Sequence, residues 1–409
     1  MSNFDQSNKD VENTFVRYSE SMLNDIFGTT DVTPFWVADM DFTVANPIKA
    51  ELQRITDRAQ FAYEFNSDAV FAAITGWYQR RHDLTLDAAK FVQVPGVLTG
   101  IALLIRELTK KGDGVLFQAP AYHQFNKVIV SAGRKAVKSP LKIVDGRYEM
   151  DFDDLNTNLS ADDVNAMILC NPHNPVGRVW TREEMEKVAE IANKHGVTII
   201  SDEIHSDIIY PGHTFTSLMS VDAQNHVALI GSPAKTFGMQ SISNGYIYTE
   251  NAELYDTMYG VSDSMYLGHG NTFTTFATIA AFDKGAQWVD ELLIYLKDSI
   301  DWIENFLKEE LPEVKMYPVE GTYQIWFDFS ETGFSGDDLK QKYAEAGFGF
   351  SPGTWFDQNA VDFARMNIAA PRADIQGAFK RLKAVFENST DGIRSTPVKA
   401  EAKTKQSCC

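Results

Sequence analysis

The chain is short of cysteine and of positive charge. Three of its 409 residues are cysteine: Cys170, Cys408 and Cys409. Three thiols make no disulfide framework, and so sparse a use of cysteine suits a reducing cytoplasm. Lys and Arg total 37 against 56 Asp and Glu, a formal charge of −19. A surface that acidic repels phosphate backbones, which argues against nucleic acid as a partner. No apolar run approaches the ~20 residues that a membrane helix needs. The first residues, MSNFDQSNKD, lack the apolar stretch of a signal peptide. The expectation is a soluble, cytoplasmic protein with neither nucleic acid nor membrane as partner.

Several motifs are missing as well. GxGxxG, GxxxxGK[ST] and HExxH do not occur, so dinucleotide, nucleoside triphosphate and zinc-hydrolase chemistry find no support. His195, His205 and His213 stand ten and eight residues apart, without the i, i+4 spacing of a helical zinc pair. His82, His226 and His269 read as solvated or capping residues.

What remains is 44% hydrophobic and 23% charged, the composition of a globular chain with a large core. Short apolar runs alternate with amphipathic stretches from about residue 90 to 285. FVQV (91–94), VLFQ (115–118), AMILC (166–170), VTII (197–200) and VALI (227–230) read as buried strands. VLTGIALLIREL has helical spacing, and TREEMEKVAEIANKHG opens on a Thr cap and closes at Gly196. Strands alternating with helices predict an α/β fold with a mostly parallel sheet. From about residue 286 the pattern changes to long helices, a strand in YQIWFDF and a last helix ending near Asn388. The expected division is an N-terminal arm with part of a small domain (1–45), a large domain (46–285), a smaller α+β domain (286–388) and a disordered tail (389–409).

Open α/β sheets bind ligands beyond the carboxyl ends of their strands, so the residues after each run carry the functional signal. After FVQV comes Pro95-Gly96-Val97-Leu98-Thr99-Gly100, a glycine turn opening a helix. Its free N–H groups suit a phosphate, or it is an ordinary strand–helix turn. After VLFQ comes Tyr122, placed to cover a flat ligand or to pack. After AMILC comes Asn171-Pro172-His173-Asn174-Pro175-Val176-Gly177, a stiff loop able to hold an amide in fixed geometry. After VTII comes Asp202, which at a buried strand end meets a cation or caps a helix. After VALI comes Ser232-Pro233-Ala234-Lys235, where a lysine among small residues becomes a nucleophile if it is desolvated. Together these loops supply a phosphate cup, a stacking ring, an amide, a carboxylate and a lysine. That is the set a pyridoxal phosphate (PLP) site needs.

At Ser201-Asp202-Glu203-Ile204-His205 and Ser232-Pro233-Ala234-Lys235-Thr236-Phe237 the chain resembles fold-type I PLP enzymes of the class I/II aminotransferase superfamily. The resemblance spans about residues 15–388. Phe35-Trp36-Val37-Ala38-Asp39-Met40-Asp41-Phe42, the SDEIH segment and CNPHNPVGRVW narrow it to the MalY/PatB-type C–S lyases, also called cystathionine β-lyases. The resemblance implies these roles. Lys235 forms the Schiff base, Asp202 pairs with the pyridine nitrogen, and Asn174 and His205 face the ring phenolate oxygen. Tyr122 stacks on the ring. The N–H groups of Val97 and Leu98, with Ser232, hold the phosphate, and Tyr63 reaches the phosphate of the neighbouring subunit in a homodimer with shared sites. Arg365 clamps the substrate carboxylate.

There are departures. Ser243 stands where many aminotransferases carry a phosphate-binding arginine, which the resemblance implies lyases of this type also lack. Ala234 replaces a frequent serine, and Gln324 and Ile325 differ from the usual lyase wording. The implied reaction is β-elimination of a thioether amino acid such as L-cystathionine to homocysteine, pyruvate and ammonia. The alternatives are transamination by the same residues, and a regulatory role through binding a transcription factor, for which no surface is apparent. Cys408-Cys409 reads as two free thiols, with a prenylated tail as the alternative.

Overall fold

The computed structural model describes residues 3–6, 14–64, 67–221 and 226–393. Seven strands form the main sheet, in the spatial order Phe91–Val94, Gly245–Tyr248, Val227–Gly231, Thr198–Asp202, Val164–Cys170, Gly114–Ala119 and Lys135–Pro140. The five from Val227–Gly231 to Lys135–Pro140 are parallel to one another. Gly245–Tyr248 runs antiparallel to both of its neighbours. It is a four-residue run, GYIY, that the periodicity does not single out.

The central strands are apolar on both faces because both faces are covered. Leu116, Met167, Leu169, Ile199, Val227 and Leu229 point into one hydrophobic core. Val115, Phe117, Ile168, Ile200, Ala228 and Ile230 point into the other. Helix Val97–Leu108 packs on the second face through Ile101, Leu104 and Ile105. Gly100 lets it approach, since a Cβ there would overlap the Ile230 side chain. Helix Arg182–His195 has the ends its sequence predicts. Thr181 and Glu184 form a reciprocal capping box, and Gly196 closes it at φ +67°.

Register places the strand ends level. Cys170 lies opposite Asp202, and Asp202 opposite Ile230. The segments that follow these three residues therefore leave from one edge of the sheet.

A second, antiparallel sheet joins Lys315–Met316, Gln324–Asp328, Phe363–Asn367 and Ser351–Pro352. Helices Ala286–Glu310 and Arg372–Ile393 accompany it. Thr33–Pro34 pairs with Phe348–Gly349. The last helix runs past the expected end near Asn388, since extending a formed helix adds one backbone bond per residue. The Ser389 hydroxyl donates back to the Val385 carbonyl at 2.7 Å. Of the expected tail, 394–409, with Cys408 and Cys409, lie outside the described residues.

One expectation for the histidines changes. His82 is neither solvated nor a cap: its Nε2 lies 3.0 Å from Asp207 Oδ1 and its ring packs on Tyr78 and Phe215. His195 and His213 stand apart from His205, the first 3.0 Å from Asn156 Oδ1 and the second 4.0 Å from Glu320. Among the described residues no helix is long and apolar enough to cross a membrane.

Candidate active site

The loops at the sheet edge enclose a cavity of about 280 Å³. Lys235 enters it from the single helical turn Ala234–Phe237, which Gly238 ends at φ +67°. Its amine donates to the Ala38 carbonyl, which also accepts from the Tyr323 hydroxyl at 3.1 Å. Burial brings the Lys235 amine down to about 8, against the pull of Asp39 and Asp202. Burial also pushes Asp202, 4% exposed, up to about 7, although the Ile204 N–H at 3.2 Å and Lys235 favour its charged form. Each group lies near neutrality because its charge lacks water, so an added opposite charge would ionise it fully.

At one end of the cavity is the N-terminus of helix Val97–Leu108. No side chain caps it, so the N–H groups of Val97 and Leu98 remain for a ligand beside the positive end of the helix dipole. Gly245 keeps the neighbouring strand close, since a Cβ there would lie 2.9 Å from the Gly96 carbonyl carbon and 3.0 Å from the Val97 nitrogen. Ser232 and Ser243 complete this end. The Ser232 hydroxyl donates to the Asn244 carbonyl at 2.8 Å and accepts from the Ala234 N–H at 3.2 Å. To serve a phosphate it must exchange the first bond.

The two asparagines of the stiff loop have different work. Asn171 ties the loop down, its amide donating to the Thr216 carbonyl at 2.9 Å and its oxygen accepting from the Trp180 N–H at 3.1 Å. Asn174 faces the cavity. His205 also lines it, fully enclosed, with its ring 5.7 Å from Tyr323 and no partner for Nδ1. Burial holds this imidazole well below its usual range, hence neutral. Tyr122 lies along the wall, half-buried.

Arg365 adjoins the cavity through Asn174. It projects from strand Phe363–Asn367, opposite Trp326. Nη2 donates to the Trp36 carbonyl at 2.7 Å and to Ser351 Oγ at 3.1 Å, and Nη1 donates to Asn174 Oδ1 at 3.3 Å. Nε has no partner. Burial lowers the guanidinium to about 10. A guanidinium enclosed among neutral oxygens, with a donor to spare, is a place for a carboxylate.

Eight of the ten residues singled out from the sequence thus line one cavity, and Arg365 joins them at its edge. Tyr63 does not: it is 95% exposed and does not line this chain's own cavity. Sequence reasoning missed the carbonyls of the 36–39 segment. Trp36 and Ala38 hold Arg365 and Lys235, while Val37 and Asp39 both accept from the Asn367 amide, at 2.6 and 2.7 Å. Backbone oxygens leave no mark on side-chain identity. Gln240, which also lines the cavity, was missed as well.

Residues 32–382 match the family described as aminotransferase class I and II. The chain belongs to that family. Within it, the chain is 35% identical to cystathionine beta-lyase PatB of Bacillus subtilis, over 94% of this chain and all of that one. It is 31% identical to protein MalY of Escherichia coli, over 86% of this chain and 91% of that one. The crystal structure of cystalysin from Treponema denticola, which contains a pyridoxal 5'-phosphate cofactor, superposes with a TM-score of 0.89 at 26% identity, covering 95% of this chain and all of that one. The α/β fold expected from the alternation of strands and helices, and the class I and II fold that the resemblance implied, are the fold observed.

Proposed function

We propose that this protein is a PLP-dependent carbon–sulfur β-lyase that cleaves S-substituted L-cysteines, with L-cystathionine going to homocysteine, pyruvate and ammonia. The observation that carries this is the placement of Lys235 and Asp202 in one cavity, between an uncapped helix N-terminus and Arg365.

The donor set fits the cofactor end to end. The Val97 and Leu98 N–H groups, Ser232 and Ser243 would hold a phosphate, and Tyr122 would cover a ring face. Asp202 would meet a protonated ring nitrogen, and Asn174 and His205 would meet the ring oxygen. The unpartnered, buried His205 Nδ1 is a group that such a ligand satisfies. Bound PLP supplies an electron sink for the Cα of an amino acid. Lys235 would hold the cofactor, and its amine is the base placed to take the Cα proton. Asp202 stays ionised against the positive ring nitrogen. Arg365 fixes the substrate carboxylate and so turns Cα toward Lys235. A thiolate leaves from Cβ readily because thiols have a pKa of about 8.5.

Transamination would use the same lysine, aspartate and arginine. Ser243 favours elimination: Lys235 is the sole lysine or arginine lining the cavity among the described residues, as expected of lyases that lack the phosphate arginine. Tyr63, Phe61, Met265 and Tyr266 are exposed apolar side chains, suited to an interface through which Tyr63 enters a partner's site. A cytoplasmic homodimer follows as part of the proposal, as does the division at about 45, 285 and 388.

The test is product analysis. L-Cystathionine should give pyruvate, ammonia and homocysteine with no 2-oxo acid added. Strict dependence on an added 2-oxo acid, with the thioether intact in the product, would make the protein an aminotransferase.

A further inference from the structure

Lys235 enters the cavity from a turn with little rigidity of its own. Ala234–Phe237 is four residues long and no side chain caps its start, so its backbone bonds alone fix little. It is held instead through the two residues that follow the lysine. Phe237 is fully buried, its ring 5.4 Å from that of Trp77 and 5.7 Å from that of Phe282. The Thr236 hydroxyl donates to Asp207 Oδ2 at 2.7 Å.

Asp207 is a buried charge that the site described so far does not use. Its side chain is 5% exposed, and its ion-pair partner among the described residues is His82. Oδ1 accepts from the Trp77 indole N–H at 2.8 Å and lies 3.0 Å from His82 Nε2. An indole nitrogen only donates and an ionised carboxylate only accepts, so the groups themselves set the direction of these bonds. Burial works against the charge, but His82, Thr236 and Trp77 together hold the carboxyl below its usual range. A charge kept in the core is costly in desolvation, and well-packed apolar side chains would serve stability as well. What the carboxylate adds is direction. Trp77 and His82 both come from helix Ser67–His82, and Thr236 comes from the turn that carries Lys235. Asp207 itself lies five residues beyond Asp202 on one segment. One carboxylate therefore ties together the segment of Asp202, the turn of Lys235 and a sixteen-residue helix.

We infer that Asp207 is a positioning residue: braced by Trp77 and His82, it holds Thr236 and so sets where the Lys235 amine stands relative to Asp202. It does not line the cavity and acts through Thr236. The inference rests on the reading of Lys235 as the cofactor-bearing lysine, proposed above, and adds the group that keeps that lysine in place.

The experiment separates attachment of the cofactor from its binding. PLP attaches when the Lys235 amine condenses with the cofactor aldehyde and water leaves. Pyridoxamine 5'-phosphate carries an amine in place of the aldehyde, so it fits the same cavity and makes no bond to lysine. The rate of PLP attachment to apoenzyme is read by absorbance, with borohydride trapping and peptide mapping, and the Kd of pyridoxamine 5'-phosphate by calorimetry. Thr236→Val keeps the shape and loses the donor. Attachment should slow by about tenfold or more, with the Kd within about threefold of wild type. Thr236→Ser, which restores the hydroxyl, should bring attachment back to within about threefold. An unchanged rate in Thr236→Val overturns the inference. So does an equal loss of pyridoxamine 5'-phosphate binding, which marks a general loosening of the core. Failure of Thr236→Ser to recover assigns the turn to the threonine methyl and overturns it too. If Thr236→Val does not fold, Asp207→Asn, which keeps the size and removes the charge, decides by the same two readings. Wild type that attaches no PLP, or attaches it at another lysine, would overturn the cofactor reading itself, a result distinct from a changed rate.

Discussion

Asn174 Oδ1 accepts a hydrogen bond from Arg365 Nη1 at 3.3 Å, tying the stiff loop after one strand of the main sheet to the antiparallel sheet that carries the arginine. The same asparagine faces the cofactor end of the cavity. One side chain thus sets the distance between the group that would hold the cofactor ring and the group that would hold the substrate carboxylate.

Arg365→Lys tests the second half of that link. Lysine keeps the charge and loses the planar fork, including the Nε donor that has no partner in the protein. The expected loss in kcat/KM is at least a hundredfold, about 3 kcal/mol of transition-state binding. Bound cofactor should be unchanged, because Arg365 lies beyond the ring-binding groups. Activity equal to wild type would remove Arg365 from the site.

Lys235 should load cofactor with a pH dependence of its own. An amine attacks an aldehyde only when neutral, and burial brings this one down to about 8 from the ordinary 10.5. The rate at which apoenzyme takes up PLP should therefore rise tenfold per pH unit below about 8 and level off above it. A rate still rising at pH 9.5 would mean an ordinary lysine. Borohydride should fix the cofactor on Lys235 and nowhere else by peptide mapping, and Lys235→Ala should fix none.

His173 gives a stability prediction with a definite sign. Its Nε2 lies 2.8 Å from the Pro120 carbonyl, and burial holds its pKa near 4. The unfolded chain, with a histidine near 6.5, binds more protons than the folded one between those values. The stability from this neutral ring is complete above about pH 6.5 and is lost as pH falls toward 4, on the order of 3 kcal/mol in all. Urea midpoints at pH 7.5 and 5 should therefore differ less in His173→Asn than in wild type. Equal pH slopes would place the acid sensitivity elsewhere.

The parts legible in the sequence are those written in side chains at element ends. Thr181 with Glu184 and Gly196 mark both ends of their helix because caps are chemical, and Lys235, Asp202 and Asn174 stand out because each follows a short apolar run. Contacts made by tertiary packing were not legible. Asn171 and Asn174 precede prolines alike, yet one locks the loop and the other lines the cavity, a difference set by Thr216 and Trp180 on one side and Arg365 on the other. His82 looked like a helix-end histidine because its partner, Asp207, lies 125 residues away. Gly245–Tyr248 joins the sheet as a strand of four residues, too few to show a period.

Tyr63 carries the remaining prediction, since its phenol is 95% exposed and this chain's own cavity lies elsewhere. Tyr63 shares its segment with exposed Phe61, apolar surface of the kind that a second copy would cover. If Tyr63 reaches the phosphate held at a partner's Val97 and Leu98, Tyr63→Phe should retain PLP more weakly, with folding nearly intact. Mixing then separates a shared site from a surface effect. A dimer of one Tyr63→Phe chain and one Lys235→Ala chain contains one site with both defects and one with neither, because each site draws its lysine from one chain and its tyrosine from the other. Unfolding and refolding the two variants together should restore up to a quarter of wild-type activity: hybrids are about half of the dimers, and each has one intact site of two. A mixture no more active than the sum of its parents would show that Tyr63 serves its own chain or none.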